Sequence, residues 1–299
     1  MRGRIIVCPG VSLSSQAIRK HGTMKPLESR AAWTVEQTAS AILTYHSLDD
    51  SGSVISTHPD LFRAQIECFL ELRIPIVPLR DAQRAPGSLA LTFDDGYDNF
   101  LEFGYPVLAK YGLPATLFVI SGCCGRRAAR PWSQSSMTHP PRLMGLSELR
   151  TLAGSGIEIG AHTVHHLDLT ALPDERAGRE IRESRISLED ALGRAVEAFA
   201  YPYGSCTPAI RKLVEQQFRL ACGTSLGYVT PECDRFNLPR LDMYYLRRRF
   251  WYSRLMTLDG RAYVALRRLL RAARGRARHG SLGPPGMVSA DRDAEETRP

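Results

Sequence analysis

The chain has 299 residues, 43% hydrophobic and 23% charged, with a formal net charge of +8. That length and apolar content exclude a disordered or fibrous chain and suit one large core with extensions. No apolar stretch is long enough to span a bilayer, and the short run Ile5–Cys8 after Met1-Arg-Gly-Arg is too brief for a secretory signal.

In chain order, apolar runs occur at 41–46, 74–79, 88–93, 114–120, 157–161, 197–203 and 219–224. Helical patterns occupy 60–72, 98–111, 146–154, 174–192 and 208–217. Helix-start signals support them, such as Ser147 followed by Glu148, and Asp174-Glu175 after Pro173. Alternating strands and helices predict a parallel sheet with crossover helices, an α/β fold. In a barrel of this kind, functional residues gather at the C-terminal strand ends. The segment 121–146 lacks periodicity and predicts a loop, of a length often found facing substrate. Trp132 within it could stack on a ligand ring, as a substrate-binding residue, or cover hydrophobic surface.

Charge is concentrated at the ends. Residues 241–299 hold thirteen arginines against six acids, and residues 1–40 hold six basic against two acidic side chains. The middle, 41–240, is therefore near −3. Residues 261–279 form a basic amphipathic pattern, with Tyr263, Leu266, Leu269, Leu270, Ala273 and Ala277 on one face and most arginines on the other. Such a helix could lie on anionic lipid at the inner face of a membrane, or pack on the barrel with its arginines solvated. No motif points to nucleic acid. Seven cysteines without Cys-x-x-Cys spacing suggest reduced thiols and a cytoplasmic address, and Met24 is a candidate start. The expected divisions are an N-terminal extension (1–40), a catalytic domain (41–245), a basic helical tail (246–279) and a disordered end (280–299).

Three segments carry the chemistry. Leu89-Ala-Leu-Thr-Phe-Asp-Asp-Gly96 ends an apolar run in two carboxylates and a turn glycine. Alternation along a strand should send Asp94 and Asp95 apart, toward different tasks at one pocket. His162 and His166, four apart, suit a shared metal ion, although that spacing alone also fits a solvated histidine cluster. Two histidines and one aspartate would leave positions open for water and substrate, the catalytic pattern. Thr163 could hydrogen-bond within this loop, and His165 should face away. Phe199-Ala-Tyr-Pro-Tyr-Gly204 is a strand running into a Pro-Gly turn.

Thr-Phe-Asp-Asp-Gly, His-Thr-x-x-His and Tyr-Pro-Tyr-Gly, in this order, resemble the polysaccharide deacetylases of carbohydrate esterase family 4, the NodB-homology family. The resemblance covers about residues 40–242. It implies a distorted (β/α) barrel with about seven strands and hydrolysis of an N-acetyl group on an amino sugar. It also implies a divalent ion, usually zinc, on Asp95, His162 and His166. Asp94 matches the base that activates water, and the backbone N–H of Tyr203 matches the oxyanion donor. The chain departs from the family at two places. Ala200 stands where many members carry an arginine that orients the catalytic aspartate, and no late Leu-x-Ile-His segment supplies the acid. Arg240 could reach Asp94 instead. His46, in Ala41-Ile-Leu-Thr-Tyr-His46, ends the first apolar run, as in a family branch whose Tyr-His segment comes first; it is a candidate acid or a strand cap. The implied partner is an N-acetylated glycan, polymeric, oligomeric or lipid-linked. Two alternatives are a weakly catalytic carbohydrate-binding protein and an amide hydrolase for formylated or non-sugar substrates.

Overall fold

A computed structural model describes residues 38–126 and 142–280, with side chains up to residue 273 in the last helix. The N-terminal extension up to residue 37, Trp132 with most of its loop, and the tail beyond 280 lie outside the described residues.

The described chain begins with β1 (Ala41–Tyr45), the short pair β2 (Ser47–Leu48) and β3 (Ser56–Thr57), and α1 (Pro59–Glu71). It continues through β4 (Leu89–Phe93), α2 (Tyr105–Tyr111), β5 (Thr116–Val119), α3 (Leu146–Gly154), β6 (Glu158–Ala161) and α4 (Asp174–Leu192). It ends with β7 (Ala198–Ala200), α5 (Pro208–Glu215), β8 (Leu220–Leu226), β9 (Leu238–Asp242), α6 (Arg249–Tyr252) and α7 (Leu258–Gly280). Strands β1, β4, β5, β6, β7, β8 and β9 close a parallel barrel in that order. This is the seven-stranded (β/α) barrel expected, with one exchange of members. The run 74–79 contributes only an Ile76–Leu89 bridge, because Pro75 and Pro78 remove the donors a ladder needs. Its place is taken by β9, which closes the barrel against both β8 and β1.

Alternation along the strands sorts two cores. Leu43 and Tyr45 of β1, and Leu91 and Phe93 of β4, face outward into the layer beneath the helices. There Tyr45, Phe62, Phe93 and Phe100 pack with ring centroids 4.6–5.6 Å apart, contacts worth about 0.5–1.5 kcal/mol each beyond burial. Ile42, Ala90, Phe118, Ala198, Ala200, Cys222 and Leu238 fill the barrel interior. Phe118 fits because Gly160 faces it, where a Cβ would lie 2.5 Å from the ring. The same parity carries Ala90, Thr92 and Asp94 inward from β4, and Leu238 and Arg240 inward from β9. An aspartate and an arginine are thus aimed into one interior from opposite ends of the domain.

Helix α3 spans Leu146–Gly154, as its pattern predicts, and Glu148 Oε2 accepts the Gly145 N–H at 2.7 Å. The amphipathic tail is helical, and only the start of its apolar face packs on the barrel. Gly260, Tyr263 and Val264 turn toward the barrel, whereas Leu266, Leu269 and Leu270 are 53%, 64% and 44% exposed. The cause is local. A Cβ at Gly260 would lie 2.1 Å from the Arg254 carbonyl oxygen, so the glycine lets the helix press on the preceding turn and fixes its rotation. Tyr263 Oη then donates to the Tyr245 carbonyl at 3.0 Å, and Arg271 donates to the Thr224 carbonyl at 3.0 Å. No described helix is long and apolar enough to cross a membrane.

Candidate active site

The C-terminal strand ends bring together most residues singled out from the sequence. Asp94 follows β4 and its N–H donates to the Tyr45 carbonyl at 2.9 Å, which sets His46 beside it. Both terminal nitrogens of Arg240 donate to Asp94, Nη1 to Oδ1 and Nη2 to Oδ2, each at 2.7 Å. Arg240 Nε donates to the Gly223 carbonyl at 2.8 Å, and the guanidinium lies over the Phe118 ring at 5.7 Å. Asp94 and Arg240 are each 3% exposed. Burial alone would push the Asp94 carboxyl up, but the guanidinium against it holds it well below the usual carboxylate range. Arg240 is raised, since Asp94 outweighs the cost of its burial. His46 Nε2 lies 3.9 Å from Asp94 Oδ2, with the ring about a quarter exposed.

Asp95 turns away from its neighbour. Its φ is 73°, followed by Gly96 at 81°, and this reversal carries its carboxylate toward the histidines. Asp95 Oδ1 lies 3.5 Å from His162 Nε2 and 3.5 Å from His166 Nε2. The loop after β6 positions those rings. His162 N–H donates to the Val119 carbonyl at 2.9 Å, and His162 Nδ1 lies 2.7 Å from the Ala200 carbonyl. The Ala200 contact makes Nδ1 the protonated nitrogen and leaves the Nε2 lone pair facing Asp95. Thr163 Oγ1 accepts the His166 N–H at 2.9 Å. His165 points out, its ring 61% exposed.

Among the described residues five non-glycines have positive φ, and four of them, Asp95, Thr163, His166 and Tyr203, are in this site. Such conformations cost about 1–3 kcal/mol each and persist where the surroundings over-determine them. Glu180, in the middle of α4 and 6% exposed, supplies much of that restraint. Its Oε2 accepts the Val164 and His165 N–H groups at 3.1 and 2.9 Å, and its Oε1 meets His165 Nδ1 at 2.7 Å. No sequence pattern marks this role, because an acid inside a charged helix reads as solvated.

The three-residue group fits a divalent cation. One ligand atom each from Asp95, His162 and His166 lies within 4.8 Å of the others. Asp95 Oδ1 is buried and accepts no hydrogen bond among the described residues, an oxygen that a cation would satisfy. Burial lowers His162 and His166 to about 4, so both rings are neutral, ligand-competent imidazoles at pH 7. Tyr203 stands with its ring 4.8 Å from that of His166, on a turn whose φ is 58°. Beside Asp94 opens a cleft of about 470 Å3, bordered by His46, Arg240, Tyr244 and Arg271.

A family model for polysaccharide deacetylase matches residues 81–218, which spans the Asp94-Asp95 turn, the histidine loop and the Tyr203 turn. Over those residues the chain is a homologue of the polysaccharide deacetylases. Proteins similar to it come from several bacteria. It is 24% identical over 228 residues to the putative polysaccharide deacetylase YxkH of Bacillus subtilis, covering 73% of this chain and 76% of that one. It is 27% identical over 169 residues to a poly-beta-1,6-N-acetyl-D-glucosamine N-deacetylase of Staphylococcus aureus, and spans 53% of that protein's length. Its fold is similar to IcaB from Ammonifex degensii, with a TM-score of 0.61 and 21% identity over 76% of this chain and 97% of that one. It is likewise similar to the deacetylase PplD of Streptococcus pyogenes, with a TM-score of 0.59 and 23% identity over 68% of this chain and 92% of that one.

Proposed function

We propose that this chain hydrolyses the N-acetyl group of an N-acetylated amino sugar in a polysaccharide, oligosaccharide or lipid-linked glycan, releasing acetate. The observation that carries the reading is the division of labour at the barrel mouth. Asp94 is held ionised by Arg240, while the adjacent Asp95 turns away to join two neutral histidines.

Asp95, His162 and His166 would hold a divalent cation, with zinc the proposed ion for this oxygen-and-imidazole set. When bound, such a cation polarises the amide carbonyl and makes water more acidic. Asp94 accepts the proton of the attacking water at a carboxylate oxygen. Arg240 keeps both carboxylate oxygens in a fixed plane, so Asp94 needs no reorientation to do so. The Tyr203 backbone N–H donates to the developing oxyanion. His46, beside Asp94 and open to the cleft, carries a proton to the departing amine nitrogen; amide cleavage requires that protonation. The net reaction consumes one water and yields acetate and a free amino sugar.

Metal analysis combined with acetate release from N-acetylglucosamine oligomers tests the reading. One bound divalent ion, loss of turnover with chelator, and a metal-replete but inactive Asp94→Asn are expected. Full turnover by Asp94→Asn would overturn the assigned base. The exposed leucines of α7, with Arg268 among them, support a peripheral contact with anionic lipid as an accompanying property.

A further inference from the structure

The cleft beside Asp94 has a neighbour. Tyr244 and Tyr245 line that cleft and also line a second concavity of about 500 Å3, so the two adjoin as halves of a trough divided by an aromatic wall. The far walls are Arg247, Arg248 and Arg267, with Trp251 and Tyr263 between them.

The charge balance differs sharply between the two halves. The half at Asp94 pairs two carboxylates, Asp94 and Asp242, with two guanidiniums, Arg240 and Arg271. The far half holds three guanidiniums and no carboxylate. None of the three is in an ion pair among the described residues. Three like charges around one concavity disfavour one another, and an anion among them removes that penalty.

Two of the three guanidiniums are also held in place. Arg247 Nη2 donates to the Ser53 and Ser56 carbonyls at 2.8 and 2.6 Å, and its guanidinium lies 4.5 Å from the Tyr244 ring centroid. Arg267 lies 4.6 Å from the Tyr245 ring centroid. With Nη2 on those carbonyls and Nε buried, Arg247 offers Nη1, whereas Arg267, stacked on an aromatic face, keeps its edge donors available for a planar or tetrahedral anion. Trp251 stacks flat on Tyr263, centroids 3.9 Å apart at 10°. Stacked aromatics beside fixed donors suit a sugar ring carrying a charged group.

We propose that the far half of this trough is an anion-binding subsite for a carboxylate or phosphate ester borne by the glycan whose acetamide lies at Asp94. The proposal rests on the deacetylase reading and narrows its substrate class to anionic amino-sugar glycans. The neutral, charge-balanced half takes the reacting sugar, and the arginine half takes its charged neighbour.

The test compares three substrates that share N-acetylglucosamine: a neutral oligomer, an oligomer alternating with glucuronate, and the uridine diphosphate sugar. The expected result is a KM about tenfold lower for at least one anionic substrate than for the neutral oligomer. Which of the two it is tells carboxylate from phosphate. In Arg248→Glu, a reversal at an exposed position, and in Arg248→Ala/Arg267→Gln, the ratio of neutral to anionic KM should fall toward one. An unchanged ratio in folded variants, or no anionic preference in the wild type, overturns the subsite. Calorimetric binding of the same ligands keeps the two ideas separable. Arginine-dependent anion binding without acetate release from any substrate would sink the deacetylase reading alone. Equal acetate release from all three, insensitive to the arginines, would sink the subsite alone.

Discussion

Arg240 grips Asp94 with two parallel hydrogen bonds of 2.7 Å, although 146 residues separate them in the chain. The pair is buried in the barrel mouth, so neither charge has water to fall back on.

Breaking that pair should harm both stability and chemistry. Arg240→Gln leaves a buried carboxylate without its counter-charge, a loss of about 3–5 kcal/mol. Chemical denaturation of metal-replete protein measures it. The pH–rate profile gives the second readout. Arg240 depresses the Asp94 carboxyl, so its stabilisation is present above the unfolded carboxylate range and is lost as pH falls through the folded value. Removing the arginine raises that value, and the acid limb of kcat/KM should move to higher pH. An acid limb that stayed put would show that another group is the base.

Metal removal should reveal the histidines. In the metal-free protein, burial lowers His162 and His166 from 6.5 to about 4. The unfolded chain then takes protons first, so stability should fall as pH drops from about 6.5 toward about 4. A melting series across that window, repeated with added zinc, is the measurement. Zinc should raise Tm at pH 7, and His166→Ala should abolish the rise.

Glu180 positions the histidine loop without touching the candidate metal ligands. Glu180→Ala frees two N–H groups and the His165 ring, and should weaken metal affinity about tenfold to a hundredfold. Competition with a fluorescent chelator would read this. Unchanged affinity would assign Glu180 to helix packing alone.

The leucine stripe of α7 can be tested by removing it. Leu266→Ser/Leu269→Ser/Leu270→Ser should reduce sedimentation with anionic phosphatidylglycerol vesicles while leaving acetate release intact, because all three side chains are exposed. Equal sedimentation of both proteins would end the lipid reading.

Much of this was legible in the sequence, for physical reasons that differ by element. The carboxylate pair and the two histidines stand out because their spacing is local, within a strand end or one loop. Helix α4 was readable over its full length from Pro173 and the acids after it. Strand β9 is absent from the seven apolar runs because Pro239 interrupts it, at a place where the ladder with β8 is already irregular. The link between Ala200 and Arg240 was only half legible. A missing arginine can be seen in a sequence, but its replacement from another strand depends on barrel closure. Glu180 and the rotation of α7 were not legible, since each depends on a tertiary neighbour and leaves no pattern of its own.

Barrel closure also sets a schedule. Asp94 lies on the second strand of the ring and Arg240 on the last, so a chain still being synthesised holds an aspartate without its partner until almost the whole barrel has emerged. The ion pair that orients Asp94 therefore forms only when β9 docks between β8 and β1. The final strand is at once the keystone of the ring and the carrier of the counter-charge at its mouth.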